Sequence, residues 1–312
     1  MDIEYLLWFQ NFREATGNIF TPFMAGYSDF AVSILAFVPA IIYWCMNKRN
    51  GLYLFTSYGV SRFINGILKV IFCVYRPWIR DSRIIPVEDA IKSATGYSFP
   101  SGHVMNTTPM FGGIGVIARK KYAWISFLCA IGILLTAISR NYLGVHTPQD
   151  VFVGMIFGLL VLYFVAKIFA YIVKNPEKEN YFIAAGLILC VLAVIYVKNK
   201  SYPMDYVDGK LIVDPKKMMS DTYKDIGIFA GVLIGRYVEK TFVKFSPNGL
   251  NIKNVLLAVI GCVLYHYIHY GFRDIVRELM GKDLGNFASM FSLMFFTIAL
   301  WPVVLKIFKA SK

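Results

Sequence analysis

The sequence predicts an all-α fold, a polytopic membrane bundle of about nine spanning helices, and three observations lead there. Apolar types make up 57% of the 312 residues and charged types 16%, whereas a soluble domain carries about 25% charge. Mean hydropathy is +0.55. The apolar residues fall in runs close to the ~20 residues that cross the hydrocarbon of a bilayer. The same composition excludes a disordered chain and a disulfide-stapled secreted domain. The formal charge of +13 is assigned to the Lys and Arg excess of cytoplasmic loops, so no nucleic-acid partner is expected.

In chain order, residues 1–27 form an N-terminal interfacial segment. Ile3, Leu6, Leu7, Phe9 and Phe12 make one apolar face, suited either to lying in the membrane surface or to packing on the bundle as an amphipathic cap. Asp2 and Glu4 stand where a cleavable signal peptide would be basic, so none is expected. Spans are predicted at 28–46, 51–75, 104–118, 122–140, 148–173, 181–197, 222–238, 253–271 and 286–308. The loop 76–99 is expected to hold a short helix near Pro86–Lys92. Asp208-Gly209, between apolar residues, signals a hairpin in the loop 198–221. Arg62 is expected to be a buried structural cation with a polar neighbour, near Asn65.

Two sets of loops alternate along these spans. One set is short and carries Lys and Arg at about twice the density of the other, which makes it cytoplasmic. Nine spans then put the N-terminus outside and the C-terminus inside a cell membrane. The five cysteines (Cys45, Cys73, Cys129, Cys190, Cys262) sit singly in apolar runs, so neither a disulfide framework nor a zinc site is expected.

Three segments at outer ends of spans carry the chemistry. In the first, Lys69 and Arg76-Pro77 are seven residues apart, nearly two helical turns, so both cations are expected on one helical face. In the second, Ser98-Phe99-Pro100-Ser101-Gly102-His103 leads into a span. Ser101 is placed to cap it, its first-turn N–H groups suit an anion, and Gly102 lets an oxyanion approach the backbone. In the third, Ser139-Arg140 precedes His146-Thr147-Pro148-Gln149-Asp150. Thr147, Pro148 and Asp150 fit the start of a helix. Asp150 is close enough to His146 to fix its tautomer and leave the other ring nitrogen as nucleophile or base. Cations, helix N–H groups and two histidines suit phosphoryl transfer through a phosphohistidine. No carboxylate cluster for a divalent ion is present, and His266 and His269 have no acidic or Cys neighbour, so neither metal nor cofactor is expected.

These segments resemble the K-x6-RP, PSGH and SR-x5-H-x3-D signature of the type 2 phosphatidic acid phosphatase superfamily, whose fold covers about 29–174. The resemblance implies a histidine-phosphatase core over 28–175, followed by an extension of about four spans over 176–312. It also implies roles. His146 attacks phosphorus and Asp150 orients it, while His103 protonates the leaving group. Lys69, Arg76, Ser101, Gly102 and Arg140 hold the phosphate. Arg80 and Arg83 are candidates for a second phosphate or an acidic headgroup. The expected activity is metal-independent hydrolysis of a lipid phosphate, either a polyprenyl pyrophosphate or a phospholipid or sphingoid phosphate, at the extracytoplasmic face. Its partners are that substrate and the membrane lipids. The alternatives are a glucose-6-phosphatase-like sugar phosphatase, a lipid phosphotransferase, or a non-catalytic lipid-binding or transport protein.

Overall fold

The computed structural model describes residues 2–33, 37–207, 209–247 and 249–310. Helices α1 (Asp2–Ala15) and α2 (Thr21–Ser33) precede α3 (Val38–Ile41), which continues as a π-helical turn over Ile42–Met46. Then come α4 (Lys48–Phe72), the short α5 (Pro77–Arg80) and α6 (Glu88–Ser93), α7 (Gly102–Ala118), α8 (Ala123–Tyr142), α9 (Pro148–Lys174) and α10 (Glu179–Asn199). A two-stranded ribbon, β1 (Tyr206–Val207) and β2 (Lys210–Leu211), pairs Tyr206 with Leu211 and Val207 with Lys210, antiparallel. Asp208 of the expected hairpin lies outside the described residues. The chain closes with α11 (Pro215–Val238), α12 (Ile252–Tyr267), α13 (Arg273–Met280), α14 (Lys282–Phe295) and α15 (Trp301–Ala310).

Each expected span overlaps a helix, and among the described residues seven helical segments are long and apolar enough to cross a membrane. The other two expected spans correspond to α7 and α11. At 17 residues, α7 extends about 26 Å, short of the ~30 Å hydrocarbon layer. The first turns of α11 carry Lys216, Lys217, Asp221, Lys224 and Asp225.

Contacts divide the chain into two compact units. The first holds α1, α2, Ile64–Leu162 and Ser201–Met218. Here α7 packs along α8, and α2 lies against both. A β-carbon at Gly154 of α9 would stand 2.9 Å from Ser101 O, so only glycine lets α9 approach the start of α7 this closely. The face of α1 that carries buried Leu6, Gln10 and Arg13 docks on the same unit. Arg13 Nη1 donates to Tyr142 O at 3.1 Å and Nη2 to Ile85 O at 2.6 Å, while Gln10 Oε1 accepts from Ile85 N at 2.8 Å. The opposite side shows Trp8 stacked on Phe12 and Phe12 on Phe20, all three exposed. Aromatic rings of this kind suit the membrane–water boundary.

The second unit holds 37–63, Tyr163–Lys200 and the chain from Met219 onward. Tyr43 and Trp44 are buried in its core, where their polar atoms donate to Ile298 O and Thr297 O, each at 2.9 Å. Its buried carboxylates are paired with half-buried cations. Glu239 accepts from Lys48 at 2.5 Å and from Arg236 at 2.7 Å. Arg62 is paired as expected, but its partner is the carboxylate of Asp225 rather than a group near Asn65.

Candidate active site

The first segment departs from the expected geometry. Helix α4 ends at Phe72, and Cys73 takes a left-handed φ of 49°. Arg76 is extended, with φ −65° and ψ 154°, directly before Pro77, because the proline ring disfavours helical backbone at the preceding residue. Lys69 and Arg76 therefore do not share a helical face. They meet instead on the strand of backbone that leads into the second segment. Lys69 Nζ donates to Tyr97 O at 2.6 Å. Arg76 Nε donates to Gly96 O at 3.0 Å and Nη2 to Thr95 O at 3.2 Å. Arg76 Nη1 reaches Val145 O at 2.9 Å and His146 Nε2 at 2.9 Å, tying the first segment to the third.

Ser101 occupies the N-cap of α7 with extended backbone, yet its hydroxyl makes no capping bond. Among the described residues its Oγ is buried without a partner, and so is His103 Nε2. The Ser101 amide donates to Asp150 O at 2.9 Å, which fixes the second segment against the third. A β-carbon at Gly102 would come within 3.0 Å of Asn65 Oδ1. Asn65 itself donates to Pro100 O at 3.3 Å.

The third segment folds as its local pattern requires. Thr147 N donates to Asp150 Oδ2 at 2.8 Å and Asp150 N to Thr147 Oγ1 at 3.3 Å, a reciprocal cap on α9. His146 Nδ1 lies 3.4 Å from Asp150 Oδ2. Arg76 has only hydrogens to offer, so Nε2 must present its lone pair and Nδ1 carries the ring proton. Burial, with the nearby Arg76 guanidinium, pushes the His146 imidazolium well below its ordinary pKa, against the opposing pull of Asp150. Arg140 is 1% exposed. Its Nη1 donates to Ser28 Oγ at 2.8 Å, while Nε and Nη2 have no partner among the described residues. His103 lies within electrostatic reach of Arg140, His146, Arg76 and Lys69.

Eight of the ten sequence candidates thus come together in the first unit. Arg80 and Arg83 are directed elsewhere: Arg80 pairs with Asp2 at 3.0 Å, and Arg83 with Glu4 at 3.2 Å and Asp81 at 2.8 Å. Sequence reasoning missed Ser98, Ser28 and Asn65, the hydroxyl and amide groups that touch the site residues. Ser98 lies inside the second segment, but nothing in its spacing marks it. Among the described residues no group of three or more His, Cys, Asp or Glu side chains could hold a metal ion.

Residues 50–174, which carry all three segments, match the PAP2 superfamily. Phosphatidylglycerophosphatase B of Bacillus subtilis is 30% identical over 161 residues, covering 49% of this chain and 74% of that protein. The chain belongs to the PAP2 superfamily. Residues 223–312 match the transmembrane extension of PAP2 superfamily phosphatases. With its apolar helices, this PAP2 chain is a multi-pass integral membrane phosphatase. An undecaprenyl-diphosphatase of Sulfolobus acidocaldarius is 29% identical over 112 residues, 36% of this chain and 51% of that protein. Lipid phosphate phosphatase delta of Arabidopsis thaliana is 26% identical over 136 residues, 41% of this chain and 32% of that protein. No solved structure is significantly similar to the chain.

Proposed function

We propose that this PAP2 chain hydrolyses a membrane-embedded lipid phosphate, a phosphomonoester or a polyprenyl pyrophosphate, through a phosphohistidine on His146. The observation that carries this reading is the set of open, buried polar atoms near His146: Arg140 Nε and Nη2, Ser101 Oγ and His103 Nε2. A buried cation with unmade hydrogen bonds is costly, by several kcal/mol. A phosphate dianion supplies acceptor oxygens for these groups and for the first-turn N–H groups of α7.

In the first step Nε2 attacks phosphorus as the bond to the leaving oxygen breaks. The leaving alkoxide, or phosphate, takes a proton from His103. Asp150 holds the Nδ1 proton and stabilises the ring as it becomes positive. Arg76, which donates to Nε2, passes its hydrogen bond to a phosphoryl oxygen. Arg140, Lys69 and Ser101 hold the equatorial oxygens as charge redistributes. In the second step water attacks the phosphohistidine, His103 takes its proton, and phosphate departs. Residues 28–175 perform the chemistry. A nine-span reading, with Lys and Arg denser in the short loops, supports a site on the extracytoplasmic side of the cell membrane.

The lipid class rests on three of the relatives, which are named for phosphatidylglycerophosphate, undecaprenyl diphosphate and lipid phosphate. The test is phosphate release by purified protein from phosphatidylglycerophosphate, undecaprenyl diphosphate, phosphatidic acid and glucose 6-phosphate. Release from one or more of the lipids, and none from the sugar phosphate, is expected. Release from the sugar phosphate alone overturns the lipid assignment. Phosphorylated acceptor in place of free phosphate points to a transferase. Silence with every substrate points to a lipid-binding or transport role.

A further inference from the structure

Asp150 Oδ2 accepts from three donors, and the His146 ring is the most distant. Ser98 Oγ donates to it at 2.6 Å and Thr147 N at 2.8 Å, whereas His146 Nδ1 stands at 3.4 Å. Ser98 Oγ is also 3.3 Å from His146 Nδ1, so one hydroxyl touches both members of the pair. Ser98 is 1% exposed, and its amide is held by Val74 O at 2.7 Å. A hydroxyl has one hydrogen and two lone pairs. Its hydrogen is given to the carboxylate, which leaves a lone pair for the Nδ1 proton.

We infer that Ser98 is a positioning residue: its hydroxyl links Asp150 to His146 and holds the ring with Nδ1 protonated and the Nε2 lone pair toward phosphorus. The inference rests on the phosphohistidine reading and deepens it. No proton transfer through the hydroxyl is needed. The ring proton stays on Nδ1 while Nε2 forms and loses its bond to phosphorus.

A serine that merely packed the 95–101 segment would leave the ionisation of His146 alone. A serine that satisfies Asp150 would not. The charged and titratable groups facing His146 are Arg76, Arg140, His103 and Asp150. Of these only Asp150 favours the imidazolium. The Ser98 hydrogen bond shares that carboxylate and weakens its hold on the ring, so removing the hydroxyl strengthens the hold.

The experiment measures kcat, KM and the pH profile of kcat/KM on the purified full chain, using phosphatidic acid as the substrate. Ser98→Ala is expected to lower kcat about tenfold, the worth of one buried hydrogen bond, with KM unchanged. Its acid limb should move to higher pH. Ser98→Cys fills the same space with a weak donor and should behave alike, which guards against a folding defect in either variant. Ser98→Thr restores the hydroxyl and most of the rate. In an Asp150→Asn background, Ser98→Ala should add little, because the two act as one unit. Wild-type kcat in both Ala and Cys variants overturns the inference. So does a loss with an unmoved limb, or one that adds in full to that of Asp150→Asn. His146→Ala separates the two readings. If it retains turnover the phosphohistidine fails, and if it is dead while Ser98→Ala is unimpaired, only the role of Ser98 fails.

Discussion

The two units of this chain treat their inward-facing cations differently. In the second unit the half-buried cations are matched to acids: Arg62 to Asp225, Lys48 to Glu239, and Arg236 to both Glu239 and Glu179. In the first, Arg76 and Arg140 are more deeply buried, yet neither has an ion pair with a carboxylate among the described residues. Arg76 is spent on carbonyl oxygens and a neutral imidazole, and Arg140 on one hydroxyl. An ion pair inside a bundle closes its own charge balance and needs nothing further. The missing acid alone does not mark a substrate-binding cation, since buried Arg13 also lacks one and is satisfied by two carbonyls. The open Nε and Nη2 of Arg140 and the contact of Arg76 with His146 set those two apart.

The largest effect should come from the nucleophile on which those cations converge. His146→Ala should reduce turnover by on the order of a millionfold, as loss of other covalent nucleophiles does. Asp150→Asn should cost about 10⁴-fold through the wrong tautomer. Phosphate release and acid-labile labelling of the protein by radioactive phosphate check both, and substantial turnover by the alanine variant would remove His146 from its role.

A matched pair of substitutions tests the comparison itself. Arg140→Met should lower kcat/KM about 10²–10³-fold, the range for a single electrostatic contact to a transition state. Its thermal stability should be unchanged or higher, since a buried cation with open donors disappears. Arg62→Met should do the reverse. It leaves Asp225 buried and alone, at a cost of about 3 kcal/mol, while folded molecules keep their rate. Arg62→Met with Asp225→Leu should regain much of that stability. Thermal melts in detergent beside single-turnover rates read both axes, and a large melt change in Arg140→Met would blur the distinction.

The electrostatics also set a pH dependence. Burial and Arg76 depress the His146 imidazolium below its ordinary value near 6.5. The ring is therefore neutral and able to attack above that depressed pKa, and protonated and inert below it. The acid limb of kcat/KM should lie on the acid side of ~6.5. Arg76→Gln removes the largest opposing charge, so its limb should move to higher pH on the same substrate. A limb that stays in place, or moves to lower pH, would show that Arg76 does not govern the ring.

What was legible in the sequence follows from how far each interaction reaches. The Thr147–Asp150 cap is local and was readable from four residues. The all-helical fold was readable because apolar length is a property of each span alone. The meeting of Lys69 and Arg76 on one site was anticipated, but by the wrong route: the spacing suggested one helical face, and the chain leaves the helix between them. Ser28 beneath Arg140, and Asp225 against Arg62, were not legible. Each partner lies more than a hundred residues away in a helix with no spacing that refers to the other, and packing alone selects it.

The smallest expected effect concerns Arg83, where two outcomes are chemically distinct. As a loop cation close to the first motif it was a candidate for a second phosphate. In the folded chain its guanidinium is 58% exposed and shared between Asp81 and Glu4, and Arg80 is held similarly by Asp2. The Arg83 guanidinium in turn holds the Asp81 carboxyl down at about 2, so the pair stays ionised across the working range of pH. Exposed pairs of this kind contribute little to stability and are screened by salt. Arg83→Ala should therefore leave kcat/KM within about twofold on a lipid phosphomonoester, since nothing at His146 changes. The informative arm is a lipid pyrophosphate. If Arg83 stays with Asp81 and Glu4 during turnover, that substrate too is unaffected, and Arg83 belongs with the paired cations of the second unit. If the variant loses about tenfold on the pyrophosphate alone, Arg83 exchanges its acids for the second phosphate, and the cations of the first unit extend beyond the buried pocket to the loop held by α1.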